Sequence, residues 1–208
     1  MPIAGDTYPV NLVLTGRPCL VVGGGAVATR KAEGVVGAGG EVTVVAPSII
    51  PAMRQLPVRC EERTYRRGEA AGYRLVITAT DDPAVNRAVF EDAEAAGVWV
   101  NSADDPANCS FILPAVIRRG PVTVAVGTGG HSPALASWLR TRIAAEVGPE
   151  FEVLAAVLAA ERDARRAAGE STEGLDWQKA LDSGMLDLIR AGQVQEAKER
   201  LQACLSSS

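Results

Sequence analysis

Three consecutive glycines, Gly23-Gly24-Gly25, separate a short apolar run, Cys19–Val22, from a helix-forming segment that opens at Ala26. A buried strand that breaks at glycine and turns at once into a helix leaves few architectures open. Gly23, Gly25 and Ala28 fall on the G-x-G-x-x-G/A spacing of a dinucleotide-binding turn. Gly23 permits the tight exit from the strand, Gly25 lets the backbone approach a pyrophosphate, and Ala28 lets helix and strand pack closely. The anion would rest on free N–H groups around Gly24, Ala26 and Val27, at the positive end of the helix. A glycine turn with only a packing role is the alternative, and the strand before it and helix after it favour the nucleotide.

The same alternation continues downstream. Glu41–Ala46 reads as a second strand stopped by Pro47, Val58–Arg63 as a third, Arg74–Thr78 as a fourth and Val98–Asn101 as a fifth. Helices are expected over Ala26–Gly37 and Pro83–Ala96. This order predicts an α/β fold with a doubly wound, Rossmann-like parallel sheet. Then the pattern changes. Ser110–Ile117 and Val122–Val126 read as a hairpin joined by Arg118-Arg119-Gly120-Pro121. The first run is apolar on both faces, which suggests cover on both sides, as by a second subunit. A helix follows with Ser132 as its N-cap and Pro133 as its first residue. From Glu150 onward the periodicity is helical, broken near Gly169–Gly174 and Gly192, and the terminal serines read as a frayed end. The expected division is 1–112 for the nucleotide domain, 113–147 for a small α+β segment and 148–208 for a C-terminal helical domain.

With 208 residues there is room for one ordinary core and a smaller attachment. A net charge of −4 argues against non-specific nucleic-acid binding but leaves room for a local basic pocket. No basic-then-apolar leader and no apolar run of about 20 residues is present, so no membrane partner is expected. Cys19, Cys60, Cys109 and Cys204 are scattered without a C-x-x-C pair, which argues against a disulfide framework or zinc site and for a reducing cytoplasm.

Candidate site residues gather where strands end. A ribose-binding carboxylate is expected about 20 residues past the glycines, yet Val45-Ala46-Pro47 stands there. Ribose contacts are therefore assigned to the backbone around Ala46–Ser48. No arginine replaces the acid either, so NADP is not indicated. After the fourth strand, Thr80 and Asp81 are candidates for lining the cofactor, whereas Asp82 before Pro83 reads first as a helix N-cap. After the fifth, Asn101-Ser102-Ala103-Asp104-Asp105 either supplies a proton acceptor or forms a solvated turn.

Taken together, VVGGGAVATRKAEGVVGAGGEVTVVAP, ITATDDPAVNRAV and NSADDPANCSFILPAVIRRGPVTVAVGTGGHSPALASWLR resemble the precorrin-2 dehydrogenase/sirohydrochlorin ferrochelatase family, the NAD-dependent part of siroheme synthase. The resemblance covers nearly the whole chain. Its specific part is N-x-x-D followed by SFILPA and VAVGTGGHSPALA. It implies a homodimer built through the central segment, without the methyltransferase domain fused to some relatives. It implies oxidation of precorrin-2 to sirohydrochlorin with NAD+ as hydride acceptor and, in some members, insertion of Fe2+ into the product. The family's functional Asp falls on Asp104, which would accept or direct a proton. Asn101, Ser102 and Asp105 would contact the tetrapyrrole, and Thr128, Gly129 and Gly130 would cradle its carboxylates through backbone N–H groups.

Other residues have weaker assignments. Arg118, Arg119, Arg140 and Arg142 are the nearest cations for a substrate with eight carboxylates, and each is equally read as exposed surface. His131, the chain's one histidine, reads as solvated, and no histidine-rich metal site is expected. Glu161–Arg166 reads as a salt-bridged exposed helix and Trp177 as a core anchor. Two competing functions share the glycine turn: a nucleotide-sensing module without catalysis, and a metal chelatase that binds nucleotide only as structure.

Overall fold

The computed structural model describes residues 7–206. Ser207 and Ser208, two of the serines read as a frayed end, lie outside the described residues, whereas Ser206 closes the last helix. The chain divides into two compact units. The first runs up to Leu113 and includes Gly129–His131; the second comprises Pro114–Thr128 and the chain from Ser132 onward.

In the first unit, β1 (Pro18–Val22), β2 (Glu41–Ala46), β3 (Arg59–Glu62), β4 (Leu75–Thr78) and β5 (Trp99–Ser102) form one parallel sheet in the order β3-β2-β1-β4-β5. Both faces are buried, so β1 reads as an unbroken apolar run. Its side chains alternate all the same. Cys19 and Val21 join a core with Ala28, Ala32 and Val35 of α1 (Ala26–Val36) and Met53 of α2 (Pro51–Arg54). Leu20 and Val22 join the opposite core with Val89 and Ala93 of α3 (Pro83–Ala95). The strand order reverses between β1 and β4, the switch point where open α/β sheets bind ligands. The edge strand β3 is short and charged, Arg59-Cys60-Glu61-Glu62, which blunts it against further pairing.

Residues 110–114 depart from the expectation of a strand over Ser110–Ile117. Ser110 instead caps the outer edge of β5: its N–H donates to the Val100 carbonyl at 2.8 Å, and its hydroxyl accepts from the Val100 N–H at 2.8 Å. Phe111 packs against the α1-side core, and Pro114 has no N–H to give a ladder. The strand β6 therefore starts only at Ala115 and runs to Arg119.

In the second unit, β6 pairs antiparallel with β7 (Val122–Val126), with Gly120 at φ 54 in the turn. The helix α4 (Pro133–Glu146) follows, capped by Ser132, whose hydroxyl accepts from the Leu135 N–H at 3.1 Å. The helices α5 (Glu150–Ala167), α6 (Trp177–Ala180), α7 (Leu186–Arg190) and α8 (Val194–Ser206) close around Leu154, Val157, Met185, Ile189, Leu201 and Leu205. A single π turn, with Gly184 at φ 88, joins α6 to α7 and bends what periodicity reads as one helix. Trp177 packs partly buried on this core. The charged stretch of α5 is not uniformly exposed. Glu161 and Arg165 pair at 2.7 Å with side chains only 11% and 15% exposed, and Gln202 of α8 also bonds Glu161.

Candidate active site

The glycine turn is shaped by two different constraints. A Cβ on Gly23, which sits at φ 129, would collide with the Ala79 carbonyl oxygen and approach Ala28 Cβ to 3.3 Å. A Cβ on Gly24 would collide with the Ser48 carbonyl oxygen and come within 2.9 Å of Ile49 Cα. That glycine is further tied by its carbonyl, which accepts from the Ile50 N–H at 3.0 Å. Gly25 is the opposite case: it is exposed, and a Cβ there would meet nothing within 4 Å.

Gly25 is the N-cap of α1, and the first intrahelical bond is the Thr29 N–H to its carbonyl at 3.0 Å. No side chain caps this helix end and no acid occupies its first turn. Its amides therefore open onto the cavity with their positive charge uncompensated. This open helix end fits a dinucleotide pyrophosphate.

A cavity of about 620 Å³ lies at this carboxyl edge of the sheet. It brings together Gly23, Gly24, Gly25, Ala26, Val27, Ala46, Pro47, Thr80 and Asp81, the full set of cofactor candidates read from the sequence. It also draws in Ser48, Thr64, Tyr65 and Asp82, of which Thr64 and Tyr65 were not foreseen. They follow β3, and only the pairing of β3 with β2 brings them alongside the loop after β2. The Tyr65 hydroxyl donates to Asp92 at 2.9 Å, and burial together with that bond pushes its ionisation far up, so it stays a neutral donor. Arg63 fixes the same loop by bonding Glu61 and Glu69, each at 2.6 Å.

On the other side, the loop after β4 is braced by Asn86 of α3, a residue that sequence reasoning missed. Its Oδ1 accepts from the Thr78 hydroxyl at 2.5 Å and the Thr80 hydroxyl at 2.9 Å, while its Nδ2 donates to the Thr80 carbonyl at 2.9 Å. The available signal was a polar residue on the otherwise apolar buried face of an amphipathic helix. Asp82 caps α3 as expected, accepting from the Ala84 N–H at 2.8 Å and the Val85 N–H at 3.4 Å.

The residues after β5 divide by what they already bond. Asn101 is buried, with Nδ2 donating to the Phe111 carbonyl at 2.9 Å. Asp105 accepts from Asn108 Nδ2 at 2.5 Å. The Ser102 hydroxyl is buried and is the single buried side-chain polar atom without a partner among the described residues. Asp104 stands apart: it is exposed, and its carboxylate makes no hydrogen bond among the described residues. It is also the one non-glycine described at positive φ, 60°. Its turn is tightened by Cys109, whose sulfur lies 3.2 Å from the Ser102 N and 3.3 Å from the Asp105 carbonyl.

In the second unit, the Thr128 hydroxyl accepts from the Ser132 N–H at 3.1 Å and closes the turn into α4. Gly129 and Gly130, in the first unit, are both left-handed, at φ 57 and 77. His131 is exposed, as read. The four candidate arginines separate. Arg119 donates to the Val147 and Arg118 carbonyls; Arg118, Arg140 and Arg142 are exposed, and Arg142 stacks on Trp138 at 4.9 Å.

Comparison with known proteins adds to this geometry. Residues 10–115 match the family described as putative NAD(P)-binding, and residues 119–146 the one described as sirohaem biosynthesis protein central. The siroheme synthase of Methylococcus capsulatus is 40% identical over 202 residues, covering 94% of this chain and 43% of the relative. That of Methylobacillus flagellatus is 37% identical over 207 residues, covering 97% and 44%. The chain thus spans less than half the length of these curated relatives. The solved structure of SirC, precorrin-2 dehydrogenase, shares the fold, with a TM-score of 0.70 and 24% identity over 95% of this chain and 100% of that one.

Proposed function

The chain belongs to the putative NAD(P)-binding family that matches its first half, and from that premise we propose that it oxidises precorrin-2 to sirohydrochlorin with NAD+. The observation that carries the reading is the open N-terminus of α1, set in a cavity that gathers all the cofactor candidates. The match of residues 119–146 to the sirohaem central family and the similarity to siroheme synthases supply the substrate class.

In this reading the amides of Gly25, Ala26 and Val27 hold the pyrophosphate, and Ser48 and Thr64 flank the ribose. NAD+, when bound, would supply the acceptor for one hydride. The remaining proton of the two-hydrogen oxidation goes to Asp104, whose carboxylate is exposed and hydrogen-bonded to nothing in the described chain. Correct placement of the reacting carbon–hydrogen bond supplies much of the rate. Asn101 and Asp105 hold the loop that carries Asp104.

The reading extends to a cytoplasmic homodimer that pairs through residues 113–147. Leu135 and Trp138 of α4, 47% and 55% exposed, support such an interface. Among the described residues no helix is long and apolar enough to cross a membrane. An anaerobic assay with precorrin-2 and NAD+ tests the activity, with Fe2+ added afterwards to decide whether the product is also metallated. NAD+ binding without turnover would favour the sensing module instead.

A further inference from the structure

The Asp104 carboxylate makes no hydrogen bond among the described residues, so its place is set by the chain on either side of it. On the near side, the Ala103 N–H donates to the Thr78 carbonyl at 2.8 Å, and the Thr78 hydroxyl donates to Asn86 of α3. On the far side, the Asp105 carboxylate accepts from Asn108 Nδ2 at 2.5 Å. The Asn108 Oδ1 accepts in turn from Arg87 Nη1 of α3 at 3.2 Å. Both flanks of Asp104 thus lead to consecutive residues of one helix.

Asn108 closes the second route. It is 7% exposed and ends the short 3-10 turn Pro106–Asn108, and its N–H donates to the Asp105 carbonyl at 3.1 Å. Its amide can face only one way, with the NH2 toward the carboxylate and the oxygen toward the guanidinium. Arg87 is itself held to α3: its Nε donates to Glu91 at 2.8 Å, and it lies over the Phe90 ring at 5.7 Å. The helix therefore holds the loop of Thr80 and Asp81 through Asn86, and the turn of Asp104 through Arg87.

We propose that Asn108 is a positioning residue that acts through Asp105 on Asp104, with Arg87 anchoring it to α3. One helix then sets the proton acceptor against the cofactor loop, where a misplacement of about 1 Å is enough to slow a reaction strongly. The proposal rests on the reading of Asp104 as proton acceptor. It assigns neither Asn108 nor Arg87 a contact with substrate.

Turnover tests it first. Asn108→Ala lowers kcat by about tenfold or more, with KM for NAD+ and for the tetrapyrrole little changed. In the Asp104→Asn background it costs nothing further, whereas a general loosening of the fold would lower activity in both backgrounds. Asn108→Asp sets a second carboxylate against Asp105 and loses at least as much. Adding Asp105→Asn to it exchanges donor and acceptor and regains about tenfold over Asn108→Asp alone. Additive losses, a raised KM at constant kcat, or no gain from the exchange overturn the proposal.

A second readout does not depend on turnover. The asparagines are Asn11, Asn86, Asn101 and Asn108, so asparagine-selective ¹⁵N labelling gives a sparse spectrum in which Asn108→Ala identifies the Asn108 side-chain amide. Asp105→Ala speeds solvent exchange of that amide by about tenfold or more. An unchanged exchange rate overturns the proposal. If the wild-type chain reduces no NAD+ with precorrin-2, the functional reading itself fails. Wild-type turnover with any of the contrary results above removes only the role of Asn108.

Discussion

Gly24 and Ser48 meet backbone to backbone: a Cβ on the glycine would overlap the serine carbonyl oxygen, and neither atom belongs to a side chain that can turn away. Gly24 therefore fixes the turn after β1 against the loop after β2, and the open helix end depends on it. Gly24→Ala should unfold in urea with a loss of about 2–4 kcal/mol, the cost of a steric clash in a packed site. Gly25→Ala, at an ordinary φ of −89 and in open space, should stay within about 0.5 kcal/mol of wild type. Gly25→Asp should fold as well and bind NAD+ at least about tenfold more weakly, since its carboxylate would occupy the anion's place.

Asn86 joins Thr78 to the loop that carries Thr80 and Asp81. Asn86→Ala leaves buried hydroxyl and carbonyl groups without partners. Chemical denaturation should show a loss of about 2–3 kcal/mol, and isothermal titration a weaker NAD+ complex.

Asp104→Asn is the informative substitution at its position, because asparagine tolerates the left-handed backbone that alanine would strain. NAD+ affinity should be unchanged, and turnover should fall by about 100-fold or more for loss of a general base. Stopped-flow measurement of NADH formation checks the second point and calorimetry the first.

The loop after β3 makes stability depend on pH. Burial opposes ionisation of Asp92, but the Gly68 N–H, the Tyr65 hydroxyl and Arg67 hold its ionisation below the ordinary range. Glu69 is likewise held low against burial by Arg63 and the Arg66 N–H. A carboxylate whose folded value is depressed contributes stability that is full above its unfolded value of about 4 and drains away as pH falls below it. Urea midpoints should therefore hold steady from pH 7 to about 5 and drop below about 4. Tyr65→Phe removes one donor from Asp92 and should cost about 2 kcal/mol at neutral pH, with a shallower acid drop.

Much of the fold was legible because its signals are local. Glu41–Ala46 and Val122–Val126 are strands with the bounds their β-branched runs suggest, and Asp82 and Ser132 cap helices that Pro83 and Pro133 open. What escaped depends on tertiary neighbours. Ser110–Leu113 has a strand's composition, yet Ser110 caps an edge that exists only once β5 has joined the sheet. Thr64 and Tyr65 reach the cavity because β3 lies beside β2, a fact of strand order rather than of spacing. Asn86 looks like any polar helix residue until the loop it braces is placed against it. At the candidate site the glycines were readable from spacing, whereas Asp104 was set apart from Asp105 only by the family resemblance; the spacing left both open, and in the structure Asn108 bonds the second.

The central claim is that this chain couples the dinucleotide site to oxidation of a tetrapyrrole. The most direct measurement follows NADH absorbance and the sirohydrochlorin spectrum together, under anaerobic conditions, with pure protein, precorrin-2 and NAD+. The account predicts that both rise at one rate and in equal amounts, and that Asp104→Asn slows both while still binding NAD+. Tight NAD+ binding with no NADH formed above a protein-free control would contradict it.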